Sequence, residues 1–393
     1  MATDIFRRPA RPSPWRNPEV RGIVLQVLFV AAVFALGAFL IHNVVVNLRR
    51  QNIASGFGFL DREAAFGIGE SLIAYSPADT YGRAFLVGLL NTLYAAGLGI
   101  VLATILGAVM GMARLSGNWL VRKLAQIYVE TFRNIPLLLQ LFFWWGLLRE
   151  SAPAPRQAWQ PLPDLFVSNR GVVFPVPSPD PAHGWMALAS VIGVVATIGI
   201  FRWARQRQAR TGEQFPTGWV GLTLVIGLPL TVFLLSGAPL TLDRPELKGF
   251  NFIGGHAVSP EFAALLLGLV IYTGTFIAEI VRAGILAVNW GQSEAAMALG
   301  LHPGQRMRLI VLPQALRVII PPMTSQYLSL IKNSSLAVYI GYPELVSIAN
   351  TTINQTGQAV EGITMIMAVY LAISLTISVL MNIYNRSVAL AER

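Results

Sequence analysis

The chain has 393 residues, 54% of them hydrophobic and only 12% charged, with a net charge of +10. A soluble domain carries about 25% charged residues, so an ordinary soluble protein is excluded and an all-α polytopic membrane protein is expected. Cysteine is absent, which removes disulfides, thiolate chemistry and cysteine metal sites.

Apolar segments of membrane-spanning length recur along the chain. The expected spans are 22–46, 84–112, 124–148, 186–201, 217–237, 260–283, 315–340 and 361–385, about eight transmembrane helices in all. A β-barrel would show short alternating segments instead. The first span follows a basic tail (Arg7, Arg8, Arg11, Arg16, Arg21). It is too long for the apolar core of a signal peptide and has no small-residue cleavage site after it. The third span holds Glu130 and Arg133, three residues apart on one helix face and placed to pair. Pro136 lacks an N–H, so it interrupts that helix and frees carbonyls near Thr131 and Phe132. The loop Ser151–His183 is crowded with proline and reads as an extended, partly stiff insertion rather than a domain. The fourth span is short. The sixth carries Glu279 and Arg282, a second candidate pair, near one end. The seventh carries Lys332 beside Asn333, Ser334 and Ser335, with Gln326 one to two turns earlier. The four histidines, His42, His183, His256 and His302, are too scattered to suggest a ligand set.

An even number of spans puts both termini on one side. With the N-terminus inside, the basic residues of the tail, of 114–123, of 202–210, of 282–317 and of the C-terminus fall inside. They outnumber the outer set (Arg49, Arg50, Arg62, Arg83, Arg149, Arg156, Arg170, Arg244, Lys248) two to one. That asymmetry favours both termini in the cytoplasm, and it accounts for the positive charge without nucleic acid.

Between the sixth and seventh spans lies "SEAAMALGLHPGQRMRLIVLPQA", Ser293 to Ala315. Ser293 reads as an N-cap, with Glu294 in the first turn. Residues 295–299 are strong helix formers. Gly300 suits a left-handed stop and Pro303 blocks continuation. A helix of about two turns is marginal in water, so it needs something to dock on. The pattern Glu294-Ala295-Ala296, Gly300, Ile310, Leu312-Pro313 resembles the EAA loop of ABC importer permeases. The resemblance implies that this loop is the coupling helix, seated in a cleft of a cytoplasmic ATPase subunit.

Further stretches are similar to the polar amino-acid permeases of the histidine/glutamine/glutamate/arginine family. They are "GLLNTLYAAGLGIVLATILGAVMGMARLS" (Gly88–Ser116), "YVETFRNIPLLLQLFFWW" (Tyr128–Trp145), "YTGTFIAEIVRAGI" (Tyr272–Ile285) and "LPQALRVIIPPMTSQYLSLIKNSSLAVYIGYPEL" (Leu312–Leu345). The likeness covers roughly 84–149 and 258–390 and implies the five-helix core of a type I, MetI-like importer. Three further spans fit the larger permease subunit of general L-amino-acid transporters. The implied organisation is an N-terminal tail, extra helix and outer loop (1–83), a first core part (84–149), an insertion with two spans (150–257), and a second core part with the coupling loop (258–393).

Charges at mid-bilayer are costly and mark a pathway by default; Glu130/Arg133 reads equally as a structural ion pair, Glu279/Arg282 reads more readily as one, and Lys332–Ser335 reads as substrate contact. The candidate substrate path comprises Glu130, Arg133, Asn134, Glu279, Gln326, Lys332, Asn333, Ser334 and Ser335. Relatives often carry an acid where Asn333 stands, which would favour cationic substrates; the neutral amide implies a broad or neutral-to-acidic range. Asn134-Ile135 departs from the Gly-Thr that many relatives place before the proline. No phosphate-binding GxxxxGK[ST] loop is present, so the expected ATP and magnesium sites lie on a partner ATPase, with no cofactor in this chain. The expected partners are a homologous second permease, two ATPase subunits, a periplasmic amino-acid-binding protein, an amino-acid substrate and the inner-membrane bilayer. The alternatives are an importer for methionine, a metal or phosphate, a passive channel, and a membrane enzyme using Glu130, Glu279 or His183. None of these accounts for both the coupling loop and its flanking motifs.

Overall fold

A computed structural model of the chain describes residues 18–50, 54–178, 180–238 and 241–388. Of the basic residues used for orientation, Arg7, Arg8, Arg11, Arg16 and Arg393 lie outside these. The chain divides into two compact units, 1–90 with 345–375 and 91–344 with 376–393.

The first unit contains α1 (Pro18–Arg50), the start of α2 (Tyr81–Ala113), α12 (Leu345–Thr356) and most of α13 (Ala359–Val388). Phe29 and Phe34 of α1 are 70% and 73% exposed, as suits a helix facing lipid. Residues 56–80, ahead of α2, are fastened down. Phe59, Ala64, Tyr81 and Phe85 form a core with Leu345, Ile348 and Ala349. The Gly56 N–H donates to Glu361 Oε1 at 2.6 Å, and the Gly56 carbonyl accepts from Gln358 Nε2 at 2.9 Å.

The second unit is organised around α8 (Pro260–Leu286), which packs against α3 (Trp119–Asn134), α4 (Leu137–Gly146) and α11 (Leu312–Asn333). Membrane helices have no hydrophobic drive toward one another, so small residues that allow close approach matter. A Cβ on Gly107 of α2 would lie 2.5 Å from Cβ of Ile277 in α8. The helix break at Pro136 is present: α3 stops at Asn134, Ile135 is extended, and α4 begins at Leu137. Buried Gln140 reaches back from α4 and donates Nε2 to the carbonyls of Phe132 (2.8 Å) and Ile135 (3.0 Å).

Among the described residues, six helical stretches are long and apolar enough to cross a membrane. The expected spans 124–148 and 315–340 are not single helices. The former is split at Pro136, and the latter passes at Asn333 into a 3₁₀ turn, Ser334–Ile340. The short fourth span is instead the core of a 31-residue helix, α5 (Pro181–Thr211), which extends through Arg202, Arg205 and Arg207. The fifth is a continuous helical run of α6 (Thr217–Leu222), a π-helical turn and α7 (Leu228–Leu235).

The proline-rich insertion is not the extended loop expected. It carries β1 (Trp159–Leu162), β2 (Leu165–Ser168) and β3 (Gly171–Phe174), and β3 pairs antiparallel with β8 (His256–Val258) from the segment before α8. Two smaller pairs, β4 (Val176–Pro177) with β5 (Leu242–Asp243) and β6 (Glu246–Lys248) with β7 (Asn251–Ile253), complete a β cap. The runs "LFVS" and "GVVF" are short apolar stretches of valine and phenylalanine, residues favoured in strands, and the prolines lie mostly outside the strand centres. Ser259 follows β8 directly and caps α8, its Oγ accepting from the Phe262 N–H at 3.0 Å. In the first turn of α8, Glu261 accepts from Trp145 Nε1 (3.2 Å) and Arg149 Nη1 (2.8 Å).

Candidate functional site: coupling loop and transport path

The loop that leaves α8 folds into α9 (Trp290–Ala298), α10 (Pro303–Arg306) and a π-helical turn, Met307–Val311, that runs into α11. Its helix begins one turn earlier than Ser293. Asn289 is the N-cap, accepting from the Gly291 N–H at 2.8 Å. Asparagine caps as well as serine, and Trp290-Gly291-Gln292 continue the helical pattern. Ser293 is therefore mid-helix and only 7% exposed, and Glu294 is in the second turn.

The stop is as expected. Gly300 has φ +72°. Its N–H donates to Met297 at 2.9 Å, and the Leu301 N–H donates to Ala296 at 3.1 Å. These two bonds make a Schellman motif. Ser293 and Ala296 (2% exposed) face inward, one turn apart. Glu294, Ala295 and Met297 face out, and Trp290 and Leu299 are 66% and 80% exposed. Trp290, Glu294 and Met297 follow i, i+4, i+7 spacing and so share a face.

Ile310 lies in the π turn, and its carbonyl accepts from Gln314 Nε2 at 3.0 Å. Leu312 and Pro313 open α11 on the exposed side, while Val311 and Ala315 are buried. Gly284 of α8 lies against Ile319 of α11 with no room for a side chain. The loop thus hangs from two helices in close contact.

Just before it, Arg282 pairs with Glu279 as expected, Nη2 to Oε1 at 2.5 Å. Sequence reasoning missed the third member: Arg114, at the end of α2, pairs with the other carboxylate oxygen. One carboxylate therefore ties α2 to α8. Elsewhere Thr104 and Tyr327 hydroxyls meet at 3.0 Å between α2 and α11, and the Tyr128 hydroxyl donates to the Ile271 carbonyl at 2.8 Å.

The expected Glu130–Arg133 pair does not form. Glu130 Oε1 accepts from Gln126 Nε2 at 2.7 Å, and the Arg133 guanidinium lies over the Phe276 ring, 5.2 Å from its centroid. Asn134 donates Nδ2 to the Glu130 carbonyl at 2.7 Å. On α11, Gln326 and Asn333 are half-buried and seven residues apart, which aligns them on one face. Lys332 is turned about 100° from Asn333, is exposed, and makes no ion pair among the described residues. Ser334 and Ser335 donate their hydroxyls to the carbonyls of Ile331 and Lys332, both at 2.7 Å. They end the helix rather than present their protons to a ligand.

Residues 215–390 match the family described as "Binding-protein-dependent transport system inner membrane component". YhdX of Escherichia coli (strain K12), named as an amino-acid ABC transporter permease protein, is 54% identical over 380 residues, which cover 96% of each chain. The general L-amino acid transport system permease protein AapQ of Rhizobium johnstonii is 51% identical over 377 residues, 96% of this chain and 94% of the relative. The glutamate/glutamine/aspartate/asparagine transport system permease protein BztB of Rhodobacter capsulatus is 41% identical over 409 residues, covering 96% of each. With its membrane helices, its loop and this near full-length likeness, the chain belongs to the amino-acid ABC transporter permeases, inner-membrane components of binding-protein-dependent transport systems.

Proposed function

We propose that the chain is the transmembrane permease subunit of an ATP-driven importer that moves L-amino acids of broad range from a periplasmic binding protein into the cytoplasm by alternating access. The observation that carries this reading is α9. It is a short helix, capped at both ends, which buries Ser293 and Ala296 on its own loop and presents Trp290, Glu294 and Met297 outward. A helix so short is stable only when docked, and the outward face is apolar with one carboxylate. It suits the cleft of an ATPase subunit.

In this reading both termini are cytoplasmic, and ATP and magnesium bind two partner ATPase subunits. A homologous permease completes a pseudo-twofold pair. Gln326, Lys332 and Asn333 border the substrate path from α11, and the neutral amide of Asn333 leaves the path without bias toward cationic side chains.

The test is purification of the tagged chain from its native membrane in mild detergent, with co-purifying proteins identified by mass. A P-loop ATPase and a second permease are expected. ATP hydrolysis by that complex, stimulated by the binding protein loaded with amino acids, completes the assignment. A chain that purifies alone, from fresh membranes and in lipid as well as detergent, overturns it.

A further inference from the structure

Charged side chains on the outer face of a membrane helix require a reason. Glu130, Arg133 and Asn134 are all exposed within the last five residues of α3. Their depth follows from the ring beneath Arg133. Phe276 is the seventeenth residue of the 27-residue α8. At 1.5 Å per residue it lies about 24 Å from one end of that helix and about 15 Å from the other. The hydrocarbon of a bilayer is about 30 Å thick, so these groups sit well inside it. Ionised groups there face a water-filled path or another protein surface rather than lipid.

Both charges are available. Glutamate and arginine three residues apart on a helix ordinarily pair; here each is held by a different neighbour. Gln126 draws the carboxylate back along α3, and Phe276 holds the guanidinium by a cation–π contact. Among the described residues neither has an oppositely charged partner. The result is an anion and a cation on one exposed face, one turn apart, kept separate beside the break at Pro136.

We propose that Glu130 and Arg133 form a receptor for the zwitterionic head of an α-amino acid, with Arg133 taking the α-carboxylate and Glu130 the α-ammonium. Arginine's planar fork matches a carboxylate in two-point geometry. A site that reads only the head group is indifferent to the side chain, and so explains transport of a broad range by one path. The inference rests on the importer reading above and assigns its substrate contact.

The test measures equilibrium binding of radiolabelled L-glutamine to the complete transporter in lipid nanodiscs, without binding protein. L-Glutamine α-amide, which lacks the carboxylate, and N-acetyl-L-glutamine, which lacks the ammonium, serve as competitors. Loss of one charge-assisted contact corresponds to roughly ten- to a hundredfold in affinity. Arg133→Gln is expected to weaken glutamine by that factor and leave the α-amide unchanged. Glu130→Gln is expected to weaken glutamine and leave the N-acetyl form unchanged. Arg133→Lys should restore part of the binding. Equal weakening of all three compounds by either variant, or no weakening, overturns the proposal and points to contacts with the second permease. Absence of saturable binding to a transport-active unaltered complex also overturns it. Failure of the importer reading is separate, because it appears earlier as absence of a co-purifying ATPase from the unaltered chain.

Discussion

Two glycines of one helix make a matched test of how α2 meets α8. A Cβ built on Gly107 lies 2.5 Å from both Cβ and Cγ2 of Ile277 and 2.9 Å from the carbonyl oxygen of Gly274. Carbon atoms in contact ordinarily sit about 3.5–4.0 Å apart. One methyl group therefore asks the helices to separate by roughly 1 Å. The obstructing atoms are a Cβ and a backbone oxygen, which no rotamer change moves aside. Overpacking of this kind costs about 1–3 kcal/mol. Gly97, on the same helix, has nothing within 4 Å of the same construction. Alanine there adds no clash and improves helix propensity by up to about 1 kcal/mol. Thermal unfolding of both variants in mild detergent, followed by tryptophan fluorescence, should place Gly107→Ala below the unaltered protein and Gly97→Ala at or above it. Equal melting of the two variants would refute the close crossing of α2 and α8.

In the loop between α8 and α11, Gly300→Val forces a β-branched residue into a left-handed backbone, at about 1–2 kcal/mol. Stimulated ATP hydrolysis should fall in that variant, while Gly300→Asn, which tolerates the same φ, should retain most of it. Glu279→Gln strips the shared carboxylate from two guanidiniums, whereas Arg114→Gln leaves the Arg282 pair intact; the former should melt lower, and the reverse order would remove the three-residue cluster as a support. Asn333→Asp should raise arginine or lysine uptake relative to glutamate in a competition assay, and an unchanged ratio would take α11 out of substrate selection.

What the sequence made legible was local. The stop of α9 followed from Gly300 and Pro303 because left-handed backbone and a missing N–H are properties of single residues. The break at Pro136 was legible for the same reason. The start of α9 was not, because Asn289 and Ser293 are both good caps and only the additional turn over Trp290–Gln292 decides between them. Arg114 was missed because its partner is 165 residues away. The β cap was missed because β3 finds β8 across the two spans of the insertion, and proline content hid two short apolar runs. Glu130 and Arg133 were misjudged in the opposite sense: helix spacing permits a pair, and competing neighbours on α3 and α8 prevent it.

The join between β8 and α8 has a mechanical meaning. At one end α8 is gripped by Ser259 and by the Trp145 and Arg149 contacts to Glu261. At the other it is followed within three residues by α9. No proline interrupts it after Pro260, so it is a stiff rod of about 40 Å. A tilt of about 5° about the gripped end sweeps the far end through roughly 3.5 Å on that length. That sweep is comparable to one carbon–carbon contact distance, so a small rotation at the sheet end displaces α9 by the width of an atomic contact.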